Sequence, residues 1–192
     1  MQFSQDGLLV GAAIQTYLLE KVRLTTKMPG ERNYHIFYEI LKGANEDKEM
    51  LFLEDLEAED FKITSKSGTY DRRDGVEDED EFDNCVKAFE TLGFDAEEED
   101  NILKLTSAML HASNLTFSAI CEDESQLDLE NDSLSPVLTL LGFDQSAFRD
   151  ALCCFYLKIG SERHRRSLKK SDAELALLSL ITATYSALFC IW

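Results

Sequence analysis

Basic residues are scarce in this sequence, which has 19 Lys and Arg against 37 Asp and Glu and a formal net charge of -18. Proteins that bind nucleic acid non-specifically, or that adhere to anionic lipid, use basic surfaces to neutralise phosphate groups. The composition therefore argues against both classes of partner, and any such contact would need a local basic patch. With 192 residues, 44% of them hydrophobic, the chain can bury the core of one ordinary domain.

The sequence also has no cysteine pattern and no leading signal segment that would indicate secretion. Its five cysteines are an odd number, no C-x-x-C motif occurs, and no basic stretch followed by an apolar one opens the chain. We therefore expect reduced thiols and a cytoplasmic location. We interpret the adjacent Cys153 and Cys154 as small packed hydrophobic residues and not as a redox pair.

A phosphate-binding loop of the form G-x-x-x-x-G-K-[ST] occurs nowhere in the 192 residues. In such a loop, backbone N–H groups surround the phosphates and the lysine reaches over them. Phosphoryl transfer depends on this positioning and on charge stabilisation by the lysine and magnesium. We therefore assign no catalytic, cofactor-binding or metal-binding residue and expect the chain alone to be inactive as an ATPase.

The apolar pattern predicts a short β-hairpin followed by helices. Asp6-Gly7 separates two apolar runs, which is typical of a tight hairpin turn. The second strand is predicted to continue through residues 14–19, with Gly11 as a bulge. Residues 31–42 have helical spacing, and Gly43 is expected to end that helix.

Residues 44–83 are mainly polar, and residues 74–83 are mostly acidic. The acidic run lacks the glycine and the terminal glutamate that an EF-hand places at fixed offsets. We interpret it as a solvated loop or the start of a helix, and not as a metal site.

A local repeat marks two helix-to-helix connections. Leu-Gly-Phe-Asp occurs at residues 92–95 and again at 141–144. Glycine is favoured just beyond a helix C-terminus, and aspartate is favoured at the N-cap of the next helix. After the first copy, an apolar stripe predicts a helix that packs on one face; it consists of Ile102, Leu105, Met109 and Leu110.

Four segments, in order along the chain, carry a family resemblance. Gly-Ala-Ala-Ile-Gln-Thr-Tyr-Leu-Leu-Glu-Lys-Val-Arg at 11–23 and Glu-Arg-Asn-Tyr-His-Ile-Phe-Tyr-Glu-Ile-Leu at 31–41 resemble two long motifs of the myosin motor head. The segment 109–117 is similar to that family's L-H-x-G-N-x-x-F, with Ser113 in place of glycine. A weaker similarity lies at 183–189. The resemblance spans nearly the whole chain.

The resemblance implies a fold and a place within a larger protein. We expect a mostly α chain with a short N-terminal β-hairpin (α+β), in which 1–25 is transducer-like and 31–192 corresponds to the upper part of the actin-binding cleft. The phosphate-binding loop and both nucleotide switches of the family would lie outside this segment. The chain is therefore expected to be an internal fragment of an actin-based, ATP-driven motor, whose intact form uses ATP and magnesium. The remainder of the head and actin filaments would be its partners, which implies a cytoskeletal location.

A basic segment at 158–170 stands out in this acidic chain. By resemblance it is the surface loop at the upper half of the actin-binding cleft, and a basic loop suits an acidic filament surface. A solvated basic turn or a nuclear-localisation-like patch is the alternative. The family usually has a basic residue near Tyr156, where this chain is aromatic. The actin-binding candidates are Lys158, Arg163, His164, Arg165, Arg166, Lys169 and Lys170.

Two further features leave alternatives open. His35 and His111 stand among apolar residues at helical spacing, and we interpret both as hydrogen-bonded core histidines.

Residues 175–192 contain no charge and approach the length of a membrane-spanning helix. By resemblance this segment is a helix buried inside the head, so we do not expect a membrane partner. A tail-anchored membrane protein and a non-catalytic actin-interaction module are the two alternative functions.

Overall fold

A computed structural model of the chain describes residues 2–11, 20, 22–25, 30–160 and 162–191. These residues form eight α-helices and three separate two-stranded antiparallel sheets, so the expected α+β class is confirmed. The helices are α1 (Val22–Thr25), α2 (Ile36–Gly43), α3 (Lys62–Ser65), α4 (Asp78–Leu92), α5 (Ala96–Ala112), α6 (Leu134–Leu141), α7 (Gln145–Cys153) and α8 (Lys170–Ile191). The strands are β1 (Gln2–Phe3), β2 (Leu9–Gly11), β3 (Phe117–Cys121), β4 (Glu124–Leu127), β5 (Cys154–Ile159) and β6 (Glu162–Ser167).

The N-terminal hairpin forms around the predicted turn. Gly7 has φ +77°, a conformation that glycine adopts without steric cost, and β1 pairs with β2. Phe3 lies opposite Leu9 while Gln2 lies opposite Gly11, so the extra residue is Val10. The bulge is therefore one residue earlier than predicted. The expected continuation of the second strand at 14–19 lies outside the described residues.

Helix α2 begins later than predicted, at Ile36 instead of residue 31. Before the helix, the Asn33 side chain makes hydrogen bonds to backbone groups. Its Oδ1 accepts a hydrogen bond from the backbone N–H of Tyr34 (2.8 Å), and its Nδ2 donates to the carbonyl of Ile63 (2.7 Å). The helix then buries its apolar face, in which Phe37 and neighbouring residues are inaccessible to solvent.

The segment between α2 and α4 contributes more to the core than its polar composition indicates. Leu51, Leu53 and Phe61 are almost fully buried. The Ser107 hydroxyl of α5 donates to the carbonyl of Leu51 at 2.6 Å and so satisfies a buried acceptor. The interpretation of 44–83 as a polar region was therefore wrong for these residues, because irregularly spaced apolar side chains leave no periodic signal.

The two Leu-Gly-Phe-Asp copies connect helices as predicted. Gly93 (φ +87°) ends α4, and Gly142 (φ +65°) ends α6. Asp95 accepts a hydrogen bond from the backbone N–H of Glu98 (2.9 Å), and Asp144 accepts one from Ala147 (2.9 Å). Each copy therefore supplies a left-handed stop and an N-cap, which together orient consecutive helices.

Helix α5 and helix α8 line the core. On α5 the predicted residues Ile102, Met109 and Leu110 are buried, and Leu105 is partly buried against them. On α8 one stripe of five residues with spacings of three and four faces inward; it consists of Ala173, Leu177, Ile181, Tyr185 and Leu188. A helix buries one such stripe when it packs against a protein core.

Candidate functional site

The basic segment, which was predicted to be a surface loop, folds as a β-hairpin. Strands β5 and β6 pair over their full length, from Cys154 opposite Ser167 to Ile159 opposite Glu162. Gly160 (φ +62°) turns the chain between them. Beyond the buried Cys154, every residue of β5 is exposed, and so is every residue of β6 except the half-buried Ser167. The hairpin therefore projects from the body of the protein with two faces open to solvent.

The two faces have different chemistry because directly opposed residues of an antiparallel pair share a face. On one face, Tyr156 lies opposite Arg165 and Lys158 lies opposite Arg163. The other face carries three exposed apolar side chains beside three polar ones: Phe155, Leu157 and Ile159 with Glu162, His164 and Arg166. One face is thus predominantly cationic, and the other combines apolar surface with Arg166.

Some charged side chains of the hairpin already have partners within the protein, and others do not. Arg165 Nη2 lies 2.9 Å from Asp150 Oδ1, and this hydrogen bond raises the pKa of Arg165. The Arg163 guanidinium stands 5.3 Å from the centre of the Tyr156 ring, a cation–π distance. Among the described residues, no ion pair involves Lys158 or Arg166.

His164, Lys169 and Lys170 complete the candidate set but do not share one surface. His164 Nε2 lies 3.4 Å from Glu162 Oε2 on the hairpin. The two lysines lie at the start of α8, each 3.9 Å from an acid of that helix. The structure therefore brings five of the seven candidates together on β5 and β6 and places Lys169 and Lys170 at the adjoining helix N-terminus.

The base of the hairpin is anchored in the core. Cys153 and Cys154 are buried and free, as expected of packed small residues, and burial raises the pKa of both thiols. The backbone N–H of Leu168 donates to the carbonyl of Cys153 (2.8 Å), and the Ser125 hydroxyl donates to the carbonyl of Leu168 (2.8 Å). These bonds hold the exposed strands on a fixed base, which suits a binding element.

A second charged region is buried between α2 and α4. Arg32 Nη2 lies 2.7 Å from Asp78 Oδ2, and the Arg32 guanidinium stacks 3.9 Å from the centre of the Tyr38 ring. Arg72 Nη1 lies 3.2 Å from Glu39 Oε1. Burial, and then the nearby Asp78 charge, raise the pKa of Glu39. We call these four charged residues, Arg32, Glu39, Arg72 and Asp78, the buried charge cluster.

The buried charge cluster corrects the interpretation of the acidic run as solvated. Asp78 belongs to that run, yet its side chain is only 13% exposed because two guanidinium groups cover it. The prediction of a helix start was right, since α4 begins at Asp78. No sequence signal singles out the cluster, since Arg32 and Arg72 are two of the eleven Lys and Arg residues among positions 1–96.

The two histidines behave differently. His111 is buried, with its ring edge-on to Phe61 at 5.3 Å between centres, and burial lowers its pKa. His35 is exposed, so the prediction of a second core histidine was wrong. The physical reason is that His35 is the N-cap residue of α2, two positions before Phe37, where the buried residues of the helix begin.

Helix α8 is, among the described residues, the one helix that is long and apolar enough to cross a membrane, over Lys170–Phe189. It is packed against the rest of the chain along one side. Tyr185 stacks on Tyr34 at 4.4 Å between ring centres and contacts Phe37 at 5.8 Å. Its opposite side is open, and Leu175 is 59% exposed.

Comparison with known proteins places the chain in a family of motor domains. The sequence profile described as "Myosin head (motor domain)" matches residues 1–192. Over 98% of its length, the chain is 34% identical to the Myosin-J heavy chain of Dictyostelium discoideum and 34% identical to the non-muscle Myosin-2 heavy chain of Acanthamoeba castellanii. It is 33% identical to Myosin-13 of Arabidopsis thaliana over 98% of its length. The chain therefore belongs to the myosin head (motor domain) family.

The matched region is a small part of each relative. It covers 8% of the Dictyostelium protein, 12% of the Acanthamoeba protein and 13% of the Arabidopsis protein. The resemblance of the segments at 11–23 and 31–41 to the myosin head is thus confirmed at the level of the family.

Proposed function

We propose that this chain is the part of an actin-based, ATP-driven motor that contacts actin filaments through the β5–β6 hairpin. The observation that carries the proposal is the hairpin itself, with exposed cations on both faces and exposed apolar side chains on one. Exposed apolar and cationic side chains on an anchored, projecting element are typical of a binding surface. The proposal would place the chain in the cytoplasm, associated with the cytoskeleton.

Electrostatics supports an acidic filament as the partner of the hairpin. The whole chain has a net charge of -18, yet four arginine and lysine side chains lie exposed on these two strands. A local cationic surface on an otherwise repulsive molecule steers an acidic partner to that surface. Lys158 and Arg166 would make the first contacts, since Arg165 is already paired with Asp150.

We assign the nucleotide chemistry to other parts of the motor. The 192 residues contain no G-x-x-x-x-G-K-[ST] loop, so ATP and magnesium would be bound elsewhere in the head. The N-terminal hairpin would belong to the transducer, the part of the sheet that couples nucleotide state to actin affinity. The helical region would form the upper side of the actin-binding cleft and would pack against the remainder of the head.

Helix α8 is most consistent with a core helix of the head. Its Tyr185 contacts Tyr34, just before α2, and Phe37 of α2, and a membrane-spanning helix would have to give up those contacts. Its open side would be covered by the remainder of the head. Membrane association that resists carbonate extraction would support the tail-anchored alternative instead.

Cosedimentation with filamentous actin at low ionic strength tests the proposal. The double variant Lys158→Glu/Arg166→Glu is expected to reduce the bound fraction of the chain at least several-fold, because it turns attraction into repulsion at the proposed contact. Lys87→Glu is a matched control, since Lys87 is an exposed lysine on the distant helix α4. Equal binding by the parent chain and the double variant would contradict the proposal.

Salt and ATP separate the motor from the second candidate function. Binding of the chain that is lost at high salt and does not respond to ATP would favour a non-catalytic actin-interaction module. If the chain bound actin in an ATP-sensitive way once it was joined to the remaining parts of a myosin head, the motor function would be favoured.

A further inference from the structure

An apolar groove of about 550 Å³ lies between the first half of α8, the short helix α3 and the start of β3. Its volume falls within the range of small-molecule sites in proteins. None of the described residues that line the groove belongs to strands β5 and β6, so it is separate from the proposed actin contact. Six of the lining residues are apolar and buried, and they form its floor: Leu24, Ile63, Leu115, Phe117, Leu177 and Ile181.

Two exposed lysines, Lys62 and Lys66, stand on one wall of the groove. They are four residues apart at helical spacing, so they lie on the same side of α3. In the described part of the chain neither lysine makes an ion pair, although Lys62 Nζ donates a hydrogen bond to the carbonyl of Asn114 (3.2 Å). On the opposite wall, Glu174 lies 3.9 Å from Lys170, which offsets its charge. Two cations without an anionic partner therefore stand beside apolar surface in a strongly acidic chain.

Hydrogen bonds between α3 and the residues that follow α5 hold one wall in place. The backbone N–H of Lys62 donates to Asn114 Oδ1 (2.9 Å), and the backbone N–H of Ile63 donates to Ser113 Oγ (3.1 Å). The Ser113 hydroxyl donates in turn to the carbonyl of Leu110 (2.7 Å). The wall is thus formed without a ligand, which lowers the cost of binding one. Because these polar groups already have partners, the inner part of the groove suits a ligand with no polar group along its length.

We propose that this groove binds one medium-chain fatty acid, with its carboxylate between Lys62 and Lys66 and its hydrocarbon chain on the apolar floor. The two lysines select an anion by charge complementarity, and the buried side chains select a hydrocarbon. A peptide fits less well, since its backbone polar groups would meet few free hydrogen-bond partners there. This inference concerns the chain on its own and does not depend on the actin-binding proposal.

Equilibrium dialysis of the full chain against radiolabelled decanoate tests the site. We expect saturable binding of one decanoate per chain. From octanoate to decanoate the affinity should rise about two- to fourfold for each added methylene, because each one buries more hydrocarbon.

Lys66→Glu tests the charged end of the groove. It should weaken the binding of decanoate about three- to tenfold, because it replaces attraction with repulsion at a partly solvated site. The binding of 1-decanol, which carries no charge, should stay unchanged. Lys87→Glu is the matched control, since Lys87 is an exposed lysine on α4 and the change in net charge is the same. Equal affinity of Lys66→Glu and the parent for decanoate would overturn the proposal.

Leu175→Asn tests the apolar part of the groove. Leu175 lines it and is 59% exposed, so the variant should keep the fold, which circular dichroism would check, and should bind both decanoate and 1-decanol more weakly. Leu92→Asn is the matched control, because Leu92 is 61% exposed on α4, outside the groove.

Three other results would also overturn the proposal. The first is the absence of saturable binding, or equal binding by Leu175→Asn and the parent. The second is binding to vesicles that contain decanoate but not to free decanoate, which would make a lipid surface the occupant. The third is a dimer of the parent chain that Leu175→Asn dissociates, which would make a second copy the occupant.

Discussion

The β5–β6 hairpin and the buried charge cluster use the same kinds of side chain under opposite conditions. On the hairpin, Arg165 pairs with Asp150 while 49% of its side chain remains exposed. In the cluster, Arg32 pairs with Asp78 with only 6% of its side chain exposed. Water screens the first pair, and an exposed pair of this kind contributes about 0–1 kcal/mol. The second pair is buried, where an unpaired charge would be costly, so the stability of the fold depends on the presence of both partners.

Removal of one partner from the buried charge cluster should have the largest effect. We expect Arg32→Ala to lower the free energy of unfolding by about 3–5 kcal/mol, because it leaves Asp78 buried without its strongest partner. It also removes the stacking on Tyr38. Urea denaturation followed by circular dichroism measures this change.

Arg73→Ala is the neighbouring control, since Arg73 is exposed and should change stability by less than about 0.5 kcal/mol. If Arg32→Ala lowered the free energy of unfolding by less than about 1 kcal/mol, the buried charge cluster would contribute no more to stability than an exposed ion pair does. Replacing both partners, in Arg32→Met/Asp78→Leu, sharpens the comparison. The double variant should be more stable than Arg32→Ala, because no charge of that pair remains buried.

A pH titration tests whether the burial of one ionisable group, His111, affects the stability of the fold. Burial lowers the pKa of His111 from its usual value of 6.5. The unfolded chain therefore takes up a proton there before the folded chain does, so stability should fall as pH decreases below about 6.5, by at most about 1.4 kcal/mol per pH unit. Melting temperatures between pH 8 and pH 5 would show the trend.

The His111→Leu variant should show a weaker pH dependence over that range, whereas His164→Ala, at an exposed site, should follow the parent chain. An identical slope for His111→Leu and the parent would mean that His111 contributes nothing to the acid sensitivity.

Disruption of the hairpin pair should have the smallest effect on stability. We expect Arg165→Ala to change the free energy of unfolding by less than about 1 kcal/mol, because the guanidinium is well solvated. Under the proposed function it should nevertheless weaken actin binding measurably in cosedimentation. A loss of stability as large as that of Arg32→Ala would show that exposure does not distinguish the two regions.

Local features were the most predictable from sequence. The stop at Gly93 and the cap at Asp95 follow from the backbone needs of those positions, and the second copy at 142–144 behaves in the same way. Such preferences act over three or four residues, so one sequence is enough to recognise them. The cationic residues of the hairpin could also be identified individually, but their division between two faces depends on a pairing register that composition does not specify.

Features that depend on distant residues were missed. His35 was expected in the core because it stands among apolar residues at helical spacing, whereas α2 begins at Ile36 and leaves His35 exposed at its N-terminus. Just before the helix, the Asn33 side chain donates a hydrogen bond to the carbonyl of Ile63, thirty positions away. Leu51 and Leu53 were overlooked for a similar reason, since neither helical nor strand periodicity surrounds them.

By itself, the sequence determined the family, the strong acidity of the chain, the helix ends at the two Leu-Gly-Phe-Asp copies and the presence of one basic segment. Only the tertiary structure decided that Arg32 meets Asp78, a residue 46 positions further along the chain. It also decided that the basic segment projects as a two-faced hairpin. The physical reason is that capping and turn preferences are local, whereas the pairing of buried charges depends on how helices distant in sequence pack together.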